Sequence, residues 1–389
     1  METITYPTPT ASLDLQNDLH ISTLTQPNAT NGTSPVKLHV HHAESSRLQE
    51  IDWNNLGFGL YFSDHMFSLD FKDGKWHNAR IVPYGKVEIE SALCTLHYGQ
   101  AVFEGLKAFS AMDGTINIFR PQAHFKRLNR SSEMLCIPTH NSDYLLEALI
   151  ELLKMDREWI PKKRGSSLYL RPLICGTDNF LGVQPSKSYN LTIMTSPVSS
   201  YYKEGMNPVK ILVTDQFVRA VRGGLGAAKT PANYAASMFA AKQAKEQGYT
   251  QVLWLDGIEH EYVQEVGTMN IFFLIGDELI TPPLEGTILA GITRDSVLTL
   301  ARSWGMNVHE RRISMTEIIA AHADGTLKEI FGTGTAAVIS PVGELTFKEK
   351  KMVINGGKIG ETAMKFYDEI TAIQYGEKPD PFGWVVNVK

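Results

Sequence analysis

Between Gly223 and Tyr234 the chain reads Gly-Gly-Leu-Gly-Ala-Ala-Lys-Thr-Pro-Ala-Asn-Tyr. Three glycines within four residues permit a tight bend and a close approach that a side chain would block. Pro231 suits the first turn of a helix, where its missing N–H costs nothing. Ala235, Ala236, Met238, Phe239, Ala240 and Ala241 continue that helix, and Gly248 reads as its stop. A lysine fixed between a glycine loop and a helix start is poorly explained as a solvated surface charge. Lys229 suits a buried amine that attacks a carbonyl and forms a Schiff base. From these twelve residues alone, an ordinary turn with a surface lysine stays open. A nucleotide P-loop does not, because Gly-x-x-x-x-Gly-Lys-Ser/Thr is not matched.

The surroundings narrow the choice. A chain of 389 residues can support two cores. Its net charge of −5 argues against a nucleic-acid surface, which would be basic. Cys94, Cys136 and Cys175 are scattered and form no Cys-x-x-Cys, so neither a disulfide framework nor a zinc site is expected. A reducing compartment, the cytoplasm, is the natural home. No apolar run approaches a membrane span. Residues 1–45 are rich in Thr, Ser, Asn and Pro and read as a disordered tail without the pattern of a signal or transit peptide. His39, His41 and His42 read as solvated rather than metal-bound, since no further ligand set accompanies them.

The rest reads as α+β. Phe58 to Phe71 looks extended, with a turn at Asp73-Gly74, and Asp113-Gly114 marks a hairpin. Pro121 opens a helix to about Leu135, and Asn141 or Ser142 caps another to about Trp159. Ser167–Ile174 and Asn190–Thr195 read as strands. These make a small domain, 46–198, followed by a loop over 199–208. A larger domain, 209–389, begins with the strand at Val209. It continues through strands at 251–255 and 268–275, a helix led by Gly291, and a capping box at Ser314-Met315-Thr316-Glu317. A loop of small residues, 331–336, then feeds a strand at 337–339, and a last helix spans about 360–375.

Several features outside the lysine loop point to one chemistry. Glu265 follows Lys229 by 36 residues and could keep a heteroaromatic nitrogen protonated. Gly291-Ile292-Thr293 at a helix start and Gly332-Thr333-Gly334-Thr335 offer N–H groups and hydroxyls to a phosphate. Arg120, directly before a helix, could supply a matching cation. Lysine, carboxylate and phosphate cup are together the needs of pyridoxal phosphate.

The segments Leu96–Lys107, Ser167–Pro172, the lysine loop through Tyr234, Gln251–Leu255 and Glu265–Asn270 resemble those of branched-chain amino-acid aminotransferases. These are fold-type IV pyridoxal-phosphate enzymes with a small α+β domain, a larger domain and the cofactor between them. The likeness runs in order from about residue 50 to residue 389. It implies reversible amino transfer between L-leucine, L-isoleucine or L-valine and 2-oxoglutarate, in two half-reactions. It implies that Lys229 carries the cofactor, that Tyr234 bonds the ring hydroxyl and that Glu265 meets the pyridine nitrogen. Arg120, Gly291, Ile292, Thr293 and Thr335 would hold phosphate. Arg219 would support Tyr234, while Leu289 packs on the ring with Thr268 nearby. Tyr169 and the backbone of Thr335 and Ala336 would receive the substrate carboxylate, and Arg171 would recognise 2-oxoglutarate. Phe58, Tyr98, Phe103 and Tyr201 would wall an apolar pocket, with Tyr98 and Arg171 working in a homodimer. The chain departs from the pattern at Pro231-Ala232, where small residues including Gly are common. Ala337 and Ser340 replace the Cys-x-x-Cys switch of some animal members, so that regulation is not expected. D-amino-acid transaminase and aminodeoxychorismate lyase share the fold and are disfavoured by the aromatic wall and by the Tyr169/Arg171 pair. A protein that binds the cofactor without turnover is disfavoured by the intact Lys229 and Glu265.

Overall fold

The computed structural model describes residues 36–199 and 206–389. Among these residues the strands form two nine-stranded sheets. The first has the order His39–Val40, Lys75–Pro83, His65–Lys72, Tyr189–Val198, Ser167–Gly176, Leu106–Ser110, Ile116–Phe119 and Val385–Val388, with Ala101–Phe103 paired to Ser167–Gly176. All its pairs are antiparallel except the first. Antiparallel pairing follows from short turns: Asp73 and Gly74 both take positive φ (52° and 78°), the left-handed pair that a two-residue hairpin needs.

The second sheet is mixed. Its order is Val263–Val266, Gln251–Leu255, Val209–Thr214, Val338–Phe347, Leu327–Gly334, Asn270–Ile275, Glu278–Thr281 and Asn307–Glu310, with Lys350–Val353 on Val338–Phe347. The parallel pair Val209–Thr214 and Gln251–Leu255 is bridged by the lysine loop and the helix Pro231–Glu246, a crossover of the kind parallel strands require. Ala240 and Ala244 seat that helix on Val252 and Trp254. Met238 and Phe239, expected simply to carry the helix on, face outward.

One core joins the sheets. Phe109 and Phe119 of the first sheet pack in the same cluster as Phe272 and Phe331 of the second and Phe366 of the helix Glu361–Gln374. The rings of Phe272 and Phe331 stack at 5.3 Å, and Phe109 meets Tyr375 edge-on at 5.0 Å. Buried aromatics carry the largest hydrophobic contribution per side chain.

Four expectations shift. The strand expected from Phe58 begins at His65, because Gly57 and Gly59 both take positive φ and turn the chain before it. Residues 331–334 are strand rather than loop, since Phe331, Gly332, Thr333 and Gly334 pair with Pro341, Ser340, Ile339 and Val338. His39–Val40 pairs with Arg80–Ile81, so a strand lies within the segment read as a tail. Val385–Val388 returns to the first sheet beside Ile116–Phe119, so the boundaries 46–198 and 209–389 do not follow sheet membership. Among the described residues no helix is long and apolar enough to cross a membrane, and no group of His, Cys, Asp and Glu could hold a metal ion.

Candidate active site

The lysine loop is tied to the first sheet and to the helix Pro121–Met134. The Lys229 amide donates to Ser131 Oγ at 2.9 Å, and the Lys229 carbonyl accepts from the Phe103 amide at 3.0 Å. Thr230, fully buried, donates to the Ala101 carbonyl, and Asn233 Nδ2 ties back to the carbonyls of Leu225 and Ala228. Gly226 is required here: a Cβ would lie 2.5 Å from the Thr287 carbonyl oxygen. Held at both ends, Lys229 points its Nζ to the Tyr234 hydroxyl at 2.7 Å and over the Phe103 ring at 5.0 Å.

This amine faces a cavity of about 150 Å³. One part of its wall is cationic and rich in N–H groups. Arg127, Gly291, Ile292 and Thr293 line it, the last three being the N-cap and first turn of the helix Ile292–Ser303. A helix start carries unpaired amides and partial positive charge, which together favour an anion. The Arg127 guanidinium is fixed by Glu104, which takes Nε at 2.6 Å and Nη2 at 2.9 Å, while Nη1 donates to the Ala290 carbonyl. His124 Nδ1 lies 2.8 Å from the same carboxylate. Glu104 is fully buried, yet Arg127 and His124 overcome the desolvation and hold its carboxyl well below the usual range.

Glu265 lies beside the opposite flank, in a small adjoining space shared with Arg219, Tyr234, Thr268 and Leu289. Its Oε1 accepts from the Leu289 amide at 2.8 Å, and Asn270 Nδ2 lies 3.4 Å from the same atom. Arg219 Nε is 3.1 Å from Oε2, a charge contact without good hydrogen-bond alignment. Burial outweighs these neighbours and raises the Glu265 carboxyl above its ordinary value.

The remaining wall is aromatic. Phe58 meets Tyr169 edge-on at 5.0 Å, and Phe103 meets Tyr234 at 4.9 Å. Arg171 covers the Phe103 ring at 4.7 Å and donates to the Tyr169 hydroxyl at 3.1 Å. Thr333, Gly334, Thr335, Ala336 and Ala337 close this side.

The structure thus brings Lys229, Tyr234, Thr268, Leu289, Gly291, Ile292, Thr293, Thr335, Phe58, Phe103, Tyr169, Arg171 and Ala336 around one cavity, with Glu265 and Arg219 adjoining. Arg120 is not among the lining residues. Its guanidinium is taken by Asp295 at 2.5 Å and Ser296 at 2.8 Å, and it lies over the Trp384 ring. Arg219 does not bond Tyr234; Nη2 holds the carbonyls of Gly226 and Thr287, and Nε faces Glu265. Tyr98 is half-exposed at the end of the short helix Cys94–Tyr98 and does not line the cavity. Tyr201 lies outside the described residues.

Residues 101–345 match the family described as Amino-transferase class IV. Branched-chain-amino-acid aminotransferase 2 of Bacillus subtilis is 52% identical over 345 residues, covering 88% of this chain and 95% of that protein. The chain belongs to the branched-chain amino-acid aminotransferases of class IV. Within that family, the enzyme of Mycolicibacterium smegmatis is 44% identical over 340 residues, covering 86% of this chain and 92% of its own. Among solved structures, the branched-chain aminotransferase of Thermoproteus uzoniensis with norvaline superposes with a TM-score of 0.70 at 25% identity, covering 84% of this chain and all of that one. A second solved branched-chain amino acid aminotransferase, from T.th. and holding pyridoxamine 5′-phosphate, gives 0.67 at 28% identity, covering 82% and 98%.

Sequence reasoning missed Arg127 from the lining of this family member; it had Thr333 only within a loop offered to phosphate and Asn270 only as the end of the Glu265–Asn270 motif. A signal for Arg127 was present. His124, Arg127 and Ser131 fall at i, i+3 and i+7 of the helix Pro121–Met134, a polar stripe on its buried face. A buried polar stripe needs partners, and here those are Glu104 and the lysine loop. Thr333 and Asn270 come from strand pairing across the second sheet, which no local pattern announces.

Proposed function

We propose that the chain moves the amino group of L-leucine, L-isoleucine or L-valine to 2-oxoglutarate, and back, with Lys229 as its catalytic residue and pyridoxal 5′-phosphate as its cofactor. The observation that carries this is the single cavity that joins a bonded lysine–tyrosine pair to an anion cup and an aromatic wall. The residues fit the cofactor's chemistry. Arg127 with the Ile292–Thr293 amides suits its phosphate, Tyr234 its ring hydroxyl, and Glu265, whose charge lacks full compensation, its ring nitrogen. When bound, pyridoxal phosphate lets a substrate α-carbon lose its proton by drawing the electron pair into a protonated ring.

The chain's own groups do the rest. Lys229 Nζ is the base for the α-proton, and the Tyr234 hydroxyl at 2.7 Å holds it in place. Glu265 keeps a positive charge where the electron pair must go. The turn at Thr335 and Ala336, with Tyr169, receives the α-carboxylate. Phe58 and Phe103 exclude water from the branched side chain, and Arg171 meets the second carboxylate of 2-oxoglutarate or glutamate. Arg127 replaces Arg120 as the phosphate cation. The exposed Tyr98 fits a role across a homodimer interface, and the free cysteines fit a cytoplasmic home.

A coupled assay with 2-oxoglutarate tests the reading. Leucine, isoleucine and valine should all yield glutamate, because each methylene in an apolar pocket discriminates by only about 1–3 kcal/mol. L-alanine and L-aspartate should react poorly. Preference for D-alanine or aspartate contradicts it.

A further inference from the structure

Lys107 is a buried cation that the reading above leaves idle. It lies on the strand Leu106–Ser110, in register with Tyr169 on the neighbouring strand. The residue is 7% exposed, and its Nζ donates to the Ala336 carbonyl at 2.7 Å. Taking an ammonium out of water is costly unless it makes a strong contact. Burial here pulls the amine down to about 8.

Ala336 sits in the tight turn between the strands Leu327–Gly334 and Val338–Phe347. That turn is a thin partition. Ala336 and Ala337 line the active-site cavity on one side and a second cavity, of about 470 Å³, on the other. Lys107 lines the second. Lys107 therefore reaches the turn from the side away from the active-site cavity. The turn is also strained: Val338, a β-branched residue, takes φ +63°. A strained backbone persists only where surrounding contacts hold it, and here the packing of Ala337 and Val338 is joined by the Lys107 contact. Because a trans peptide is planar, fixing the Ala336 carbonyl also fixes the direction of the Ala337 amide.

We propose that Lys107 is a positioning residue: its ammonium anchors the Ala336 carbonyl, so that the Thr335–Ala337 turn keeps its backbone amides set for the substrate carboxylate. The inference rests on the assignment of that turn to the carboxylate. The charge also adds a favourable field for an anion on the far side of the turn.

The test uses the cofactor-loaded enzyme and three variants, Lys107→Met, Lys107→Gln and Lys107→Arg. The probe is 4-methylvaleric acid, a leucine-like carboxylate without an amino group, titrated by calorimetry. In Lys107→Met its Kd and the KM for L-leucine should rise about tenfold, the scale of one charged hydrogen bond, with kcat within about threefold. Cofactor absorbance and Tm should stay at the wild-type values. Lys107→Gln should fall between, and Lys107→Arg should restore binding to within about threefold, since it keeps charge and donors. Wild-type affinity in Lys107→Met overturns the proposal. So does parallel loss of probe affinity, cofactor and Tm in all three variants, which marks a merely structural lysine. A wild-type enzyme that neither binds the probe nor transaminates leucine overturns the functional reading itself, and the proposal with it.

Discussion

Glu104 and Glu265 are both buried carboxylates beside the cavity, and their surroundings move them in opposite directions. Glu104 takes two bonds from Arg127 and faces His124, so its charge is matched within the protein and its carboxyl is held low. Glu265 has a misaligned Arg219 and one backbone amide, and burial wins. The first is built to hold an arginine still; the second is short of a cation, which a pyridinium supplies. Glu265→Gln should leave the cofactor bound and lower kcat on the order of 10²-fold, the effect typical of removing one stabiliser of developing charge. Single-turnover rates with L-leucine check this, and equal rates would remove Glu265 from the site. Two arginines separate just as cleanly. Arg127→Ala should weaken cofactor binding by at least about tenfold, a lost charge-assisted contact, while Arg120→Ala, already paired with Asp295, should change it little. Fluorescence titration of the cofactor into the two apo variants measures both.

At the level of elements, termini were readable and interiors less so. Asn141 caps the helix Ser142–Met155 by accepting from the amides of Asp143 and Tyr144, as the sequence signals. Ser314 likewise accepts from the Glu317 amide, but the capping box is only half closed, because the Glu317 carboxylate turns to Arg311 instead. Asn141→Ala should cost about 1 kcal/mol in urea unfolding, with turnover unchanged. The small residues at 331–334 looked like loop because Gly and Thr are common in turns. Position 332 is glycine because a Cβ would come within 2.9 Å of Met269 Cε, and the four residues are strand because Pro341, Ser340, Ile339 and Val338 pair with them. That demand comes from a neighbouring strand, so it is invisible in the segment itself. Arg120 stands directly before a helix, but its backbone is left-handed (φ 53°) and its amide donates to the Trp384 carbonyl, which turns it toward the C-terminal strand.

Across the whole molecule, the glycine loop, the lysine and the order of motifs were legible because local backbone needs dictate them. The joining of two sheets through Val385–Val388 was not, because pairing at long separation leaves no periodic trace. His140 gives the molecule an acid sensitivity of its own. Burial, slightly offset by the Asn141 backbone, pulls its imidazole down to about 4. The unfolded chain binds that proton from about pH 6.5 downward and the folded chain only near 4, so stability falls as pH drops through this window. His140→Phe should therefore lose less stability than wild type between pH 6.5 and 4.5, by about 1–3 kcal/mol, in denaturant titrations at each pH. The sharpest measurement is at the centre of the site. The cofactor-loaded protein is mixed with L-leucine alone, and 4-methyl-2-oxopentanoate is counted per chain in a single turnover. Wild type should release about one equivalent, and Lys229→Ala none while it keeps cofactor in the Arg127 cup. Release by Lys229→Ala at the wild-type rate, or none from wild type, would contradict the assignment of Lys229 as the group that moves the proton.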